Sequence, residues 1–331
     1  MKMESRGSFE SPPRLSVCIP TYNRCALLQR SLASACAQHY VNKEIVICDN
    51  CSTDDTDAFV NAFISTHPDV SIRYQRHERN LGMVANWKAC LNAAEGAYFL
   101  ILDDDNYFVD SHYLSKVAAL VEKHPDLQLI SCNFTITYEG REVRSEVKLN
   151  AYQQGREVYL GYFDPAIIGP GLFFCFYRTS TARELDIFSE AVITHDIQAM
   201  LMISLQGPVG FVEDYCGVYD KTHEGNVETQ KYLEDYFSFE LAVIASSSRY
   251  GLSRGERLRP FRRFHSQFVR AATWSILKCQ LAQWVRSAGI FVRYRGIFFT
   301  TYHTVSGLFQ SLWTVAKNRS VRWIRTAPTN P

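Results

Sequence analysis

Short apolar runs alternate with stretches of helical spacing through the first 136 residues. Leu15–Ile19 reads as a buried strand, followed by a helix over Cys25–Ala37 with Leu27, Leu28, Leu32 and Ala35 on one face. Glu44–Cys48 is a second strand. A helix follows over Asp54–Ser65, its start marked by Ser52 and Asp55 at capping-box spacing. Ile72–Gln75, Ala97–Leu102 and Leu127–Ile136 read as further strands, with helices over Met83–Ala94 and Tyr113–Glu122. Strands that alternate with helices predict an α/β fold, a mostly parallel sheet flanked by helices. The pattern weakens between Glu139 and Gly171, where loops and short strands are expected. It returns as a helix over Thr194–Leu205 and short strands at Val209–Val212 and Cys216–Tyr219, and becomes helical from about Val227.

Composition narrows the class. The chain has 331 residues, 47% of them hydrophobic and 21% charged, as in a folded globular protein. Its longest apolar runs, such as Ala97–Leu102, fall well short of the roughly 20 residues a membrane span needs. Met1–Pro13 is polar and has no apolar segment of a secretory signal, so this stretch reads as a flexible N-terminus and the expected address is cytoplasmic. The ten cysteines are scattered singly, mostly in apolar runs, and read as buried reduced thiols. Cys48 and Cys51 form a Cys-x-x-Cys, but no second pair is spaced to complete a zinc site. Charge is unevenly spread: Gly251–Pro331 holds 14 Lys and Arg against one acid, whereas residues 1–250 hold 21 against 33.

In an open α/β sheet, ligands bind at the carboxyl ends of the strands. Here those ends carry Pro20-Thr21-Tyr22-Asn23-Arg24, then Asp49 through Thr56, then Arg79-Asn80-Leu81-Gly82, then Asp103-Asp104-Asp105-Asn106. Three consecutive carboxylates after an apolar strand repel one another, and a divalent cation relieves the repulsion. A solvated acidic turn capping the next helix is the alternative that the residues leave open.

These segments, in this order and at these spacings, resemble glycosyltransferase family 2, which has the GT-A (Rossmann-like) fold. The resemblance covers about residues 14–226, with nucleotide-sugar binding in 14–110 and the acceptor side in 111–226. A helical, basic C-terminal region follows over 227–331. It implies that Pro20, Thr21 and Tyr22 border the nucleoside, that Asp49 meets the base, and that Arg24 and Asn80 belong to the donor-binding set. Asp103 and Asp105 match the DXD acids. Asp105 is then a ligand of Mn²⁺ or Mg²⁺, with Asp104 toward the ribose and Asn106 standing where another Asp is usual. Cys51 occupies a position usually held by a small residue, often Gly, so the Cys-x-x-Cys is incidental. Asp196, after His195, matches the general base at a helix start, where the helix dipole keeps a carboxylate ionised. Lys221 and His223 match a closing segment near the diphosphate, with Lys221 neutralising charge and His223 ligating the metal.

The implied activity is inverting transfer of one sugar from a nucleotide diphosphate, typically UDP, to a hydroxyl of a glycan or lipid-linked acceptor in surface polysaccharide synthesis. Specificity is expected in the loops between Glu139 and Pro170. Leu281–Pro331 mixes seven Lys and Arg with large aromatics such as Trp284, Phe298, Trp313 and Trp323. That composition suits a helix lying on an anionic membrane surface, here the inner face of the cell membrane. Packing on the acidic body and an oligomer interface are the alternatives; no recognition motif for nucleic acid accompanies the charge. Two rival functions are a nucleotidyltransferase and a non-catalytic sugar-binding scaffold. The first usually needs a Gly-rich loop after the first strand, absent from Pro20–Arg24. The second would not need Asp49, Asp105 and Asp196.

Overall fold

The computed structural model describes residues 11–138, 140–162, 164, 172–189, 195–223, 243–244 and 247–261. The alternation read from the sequence is present: β1 (Leu15–Thr21), α1 (Cys25–Cys36), β2 (Lys43–Asp49), α2 (Thr56–Thr66), β3 (Ile72–Arg76), α3 (Met83–Ala93) and β4 (Tyr98–Ile101). Next come β5 (Tyr107–Phe108), α4 (Tyr113–Lys123), β6 (Leu129–Tyr138), β7 (Arg141–Arg144), β8 (Tyr152–Gln153), α5 (Gly155–Gly161) and β9 (Phe173–Arg178). The last named elements are α6 (Thr179–Glu184), α7 (His195–Ser204), β10 (Val209–Asp220) and a 3₁₀ turn at Lys221–His223.

One sheet runs through the molecule in the order β3-β2-β1-β4-β9-β6-β10-β5. Its first four strands are parallel, as is the β6–β10 pair. The periodicity did not reveal β9, which inserts antiparallel between β4 and β6. Two expected short strands are one long β10, bulged around Tyr215 where its register against β6 slips. Both faces of the sheet are covered, which is why β1 and β2 read as nearly continuous apolar runs. Leu15, Val17 and Ile19 pack with Ile45 and Ile47 toward α1 and α4, whereas Cys18, Val46 and Cys48 face α3.

The expected capping box at Ser52 and Asp55 does not form. Asp54 takes that work: its carboxylate accepts the Thr56 amide at 3.1 Å, the Thr56 hydroxyl at 2.6 Å and the Cys25 amide at 3.0 Å, tying together the starts of α1 and α2. Cys51 sits at φ +68, a left-handed conformation that favours glycine. Cys48 is buried within β2, and both cysteines are free thiols. Cys90 packs beside Cys18 and Cys48, and burial pushes the Cys90 thiol well above the usual range, so Cys90 is held as inert thiol.

Glu44 is fully buried at the end of the sheet away from the acidic loop. One oxygen accepts the Ser16 hydroxyl (2.5 Å) and the amides of Glu95 (2.6 Å) and Gly96 (3.2 Å); the other pairs with Arg14 (3.0 Å) and Arg73 (2.8 Å). Gly96 has no alternative here, because a Cβ would lie 2.7 Å from the Ser16 amide nitrogen. Glu44→Ala takes the acceptor from the Glu95 amide, leaves Gly96 only Ser16 Oγ (2.8 Å), and removes the buried partner shared by two arginines. It is expected to lower the unfolding free energy by about 3 kcal/mol in a urea titration. A loss under about 1 kcal/mol would mean that the staple is dispensable.

Beyond residue 226, where a helical region was expected, the chain is described at 243–244 and 247–261. Val243, Leu252 and Phe261 are buried in the same core as Tyr159 and α7. Among the described residues no helix is long and apolar enough to cross a membrane.

Candidate active site

The parallel order β2-β1-β4 sets the carboxyl ends of three strands side by side, and the strand-end motifs meet there. Thr21 and Asp49 are register partners, and the Asn50 amide donates to the Thr21 carbonyl at 2.9 Å. The Thr21 hydroxyl donates to Asp104 Oδ2 at 2.7 Å. Arg24, at the start of α1, places one Nη1 between two carboxylates, 3.1 Å from Asp104 and 2.9 Å from Asp105. Tyr22 stands exposed at the rim, whereas Pro20 is buried inside β1 opposite Cys48.

The acidic loop is electrostatically loaded. Burial, then the charges of Asp105, Asp104 and Asp196, push the carboxyl of Asp103 well above the usual range. Burial lifts Asp104 to about 6 against the opposing Thr21 and Arg24. Asp105 is raised for the same reason, with Arg24 opposing. Carboxyls in this condition favour a bound cation.

Asp196 lies in the first turn of α7, exposed, with its Oδ1 accepting the Ile197 amide at 2.8 Å. Its charge acts on Asp103 and also on Cys175 and Tyr177 of β9. The charge of an α7 carboxylate therefore reaches the acidic loop, about 90 residues earlier in the chain. The side chains of His195 and His223 lie outside the described residues. Lys221 is exposed, its Nζ 5.0 Å from the Tyr219 ring centroid.

Two motif residues hold loops. Asn80 Oδ1 accepts Asn50 Nδ2 (2.9 Å) and the Gly82 amide (2.8 Å), shaping the entry to α3. Asp49 is fully buried: Oδ1 accepts the Ser52 amide (2.8 Å), while Oδ2 accepts the Tyr74 hydroxyl (2.8 Å) and faces Arg76 Nε at 3.6 Å. Through these partners Asp49 braces this wall of the site. Tyr74 and Arg76 on β3 were not anticipated, since a strand of mixed polarity carries no mark of which side chains turn toward a site. Arg30 and Asp220, which join the acidic loop to the end of β10, were missed for a similar reason.

The architecture is that of the GT-A glycosyltransferases. Over 92% of both chains it superposes on Staphylococcus aureus TarS residues 1–349 in complex with UDP, with a TM-score of 0.68 and 18% identity. It also matches the mannosyltransferase PcManGT of Pyrobaculum calidifontis, in complex with GDP-Man and Mn²⁺. That match has a TM-score of 0.54 and 19% identity, over 92% of this chain and 88% of the other. The chain belongs to glycosyltransferase family 2: the Glycosyl transferase family 2 profile matches residues 16–181. Among curated relatives, the putative glycosyltransferase EpsE of Bacillus subtilis is 27% identical over 167 residues, half of this chain and 55% of that protein. The first curated relatives are matched over only 18% and 38% of their length.

Proposed function

We propose that the protein transfers one sugar, with inversion, from a nucleotide diphosphate donor to a hydroxyl of a glycan or lipid-linked acceptor. The observation that carries this reading is the meeting of the strand-end motifs at one rim, where Thr21 donates to Asp104 at 2.7 Å and Arg24 joins Asp104 and Asp105; the charge of Asp196 acting on Asp103 supports its reading as the proton acceptor.

The donor's nucleoside lies along Thr21, Tyr22 and the Asp49–Tyr74 wall, and its diphosphate reaches the acidic loop. UDP is the favoured nucleotide, supported by the TarS complex. Asp104 and Asp105 converge on one Arg24 nitrogen, so their oxygens already address a point of positive charge. Such all-oxygen donors fit Mg²⁺ or Mn²⁺. Among the described residues no three His, Cys, Asp or Glu gather to hold a metal unaided. A cation held by Asp105, with His223 assisting, would take its remaining ligands from phosphate and water. When bound, it supplies positive charge to the leaving diphosphate. Lys221 adds charge from the end of β10. Asp196 takes the proton of the acceptor hydroxyl, which attacks the anomeric carbon from the face opposite the diphosphate. No covalent intermediate is needed, so one displacement inverts the configuration.

A panel of nucleotide sugars, scored by metal-dependent nucleotide release with glycan acceptors, tests this reading. One donor is expected to be consumed with release of its nucleoside diphosphate; release of a sugar phosphate from the donor, or of pyrophosphate when a nucleoside triphosphate and a sugar phosphate are supplied instead, would favour the nucleotidyltransferase. For the basic Gly251–Pro331 segment we propose attachment to an anionic membrane surface. Each basic residue near such a surface is worth about 1 kcal/mol and is screened by salt. The protein is expected to sediment with anionic vesicles at low salt and to be partly released at high salt. A chain ending at Ile290 should bind vesicles less and keep nucleotide binding. Equal sedimentation of both chains would assign the segment to packing or oligomerisation.

A further inference from the structure

Arg30 has no part in the mechanism above, yet it joins the two halves of the site. Helix α1 carries the acidic loop on one row of polar groups: Ser31 faces the Asp103 carbonyl (3.5 Å), Arg30 Nη2 donates to the Asp105 carbonyl (2.7 Å), and the Ser34 hydroxyl accepts the Phe108 amide (3.1 Å). The same Nη2 of Arg30 donates to Asp220 Oδ2 at 2.8 Å, and its guanidinium lies 4.2 Å over the Tyr107 ring.

Asp220 is the last residue of β10 and directly precedes Lys221. It is buried, and its other oxygen accepts the Thr137 hydroxyl (3.1 Å) and both the amide (3.1 Å) and hydroxyl (2.5 Å) of Thr222. Its own amide donates to Asn106 Oδ1 at 3.0 Å. Asn106 thereby ties the acidic loop to the turn through its side chain. The charge of Asp220 also acts on Asp105. A fourth carboxylate beside three others would drive the loop and the turn apart if nothing neutralised it. Arg30 supplies the opposing charge, and it does so while gripping the backbone of the loop itself.

We propose that Arg30 and Asp220 are a positioning pair that fixes the Lys221–His223 turn against the Asp103–Asp105 loop, so that the lysine and the carboxylates address the same diphosphate. The role rests on the glycosyltransferase reading of those residues; the mechanical coupling does not. Arg30 reaches neither sugar nor acceptor in this account. It acts through the loop and the turn that it connects.

Hydrogen exchange on the ligand-free full chain tests the coupling. Arg30→Met is expected to raise amide exchange about tenfold in 103–108 and 217–222 together, with β1 and β2 amides unchanged. Asp220→Asn should loosen the same two segments, and the double variant should loosen them no further than Arg30→Met alone. Arg30→Lys should restore part of the protection. Exchange that rises in one segment alone, in neither, or evenly across the sheet overturns the pair. With the donor found by the panel, Arg30→Met should lower kcat about tenfold and raise donor KM, leaving acceptor KM unchanged. Equal changes in both KM values would reduce Arg30 to a general stabiliser. A wild-type chain that consumes no nucleotide sugar overturns the proposed function, and the exchange result then decides the coupling separately.

Discussion

Asp105→Ala is expected to lower sugar transfer by about 10³-fold, because a cation that stabilises a leaving diphosphate supplies several kcal/mol at the transition state. The fold should survive the change. Asp105 lies on a loop at the sheet rim, and burial together with the charge of Asp220 already disfavours its own charge. Removing it costs the 2.9 Å contact with Arg24, but Arg24 retains Asp104 at 3.1 Å. Arg24 is also partly exposed, so the lost pair is worth little in stability. Steady-state turnover across a Mn²⁺ titration, beside a thermal melt, is the measurement. Asp105→Ala should keep its melting temperature within a few degrees and require far more metal for any residual activity. Wild-type turnover in this variant, or full activity of the parent in EDTA, would sink the metal assignment.

Asp196→Asn is expected to leave donor binding intact and to reduce turnover by about 10²-fold or more, the usual scale of a general base. The substitution preserves shape, and the amide oxygen can still accept the Ile197 amide that Asp196 Oδ1 accepts at 2.8 Å. What it removes is the ability to take a proton. It also removes a negative charge that acts on Asp103, so donor affinity should hold or improve slightly. Isothermal titration with the donor nucleotide, paired with turnover, separates the roles. A variant that turns over normally, or one that loses nucleotide affinity while the residual rate is unchanged, would remove Asp196 from the base position.

Local pattern reaches far in this chain. The short apolar runs of β1, β2 and β4, bounded by polar turns, read as strands buried on both faces, and the spacing of Leu28, Leu32 and Ala35 turns one side of α1 inward. Because the strands are parallel, the polar residues that end them had to collect at one rim. Thr21, Arg24 and Asp103–Asp105 were therefore legible as a cluster before any coordinate was known. Asp196 was legible as the acid of a helix start, though the reach of its charge to Asp103 was not.

The tertiary structure decided what the sequence left open, and in each case the deciding partner lies far along the chain. Strand β9 is apolar enough for several places in a sheet. Only pairing with both β4 and β6 makes it antiparallel and lets it face α7 across Cys175 and Tyr177. The bulge at Tyr215 makes one strand of two apparent ones, because register depends on β6. Asp54 displaced the expected cap because it also reaches Cys25, 29 residues away. Asp49 turned inward to Tyr74, and Arg30 found Asp220 across 190 residues. Periodicity records which face of an element is buried, since that is a property of consecutive residues. It carries no record of which charged side chain meets which, since that depends on how the elements pack.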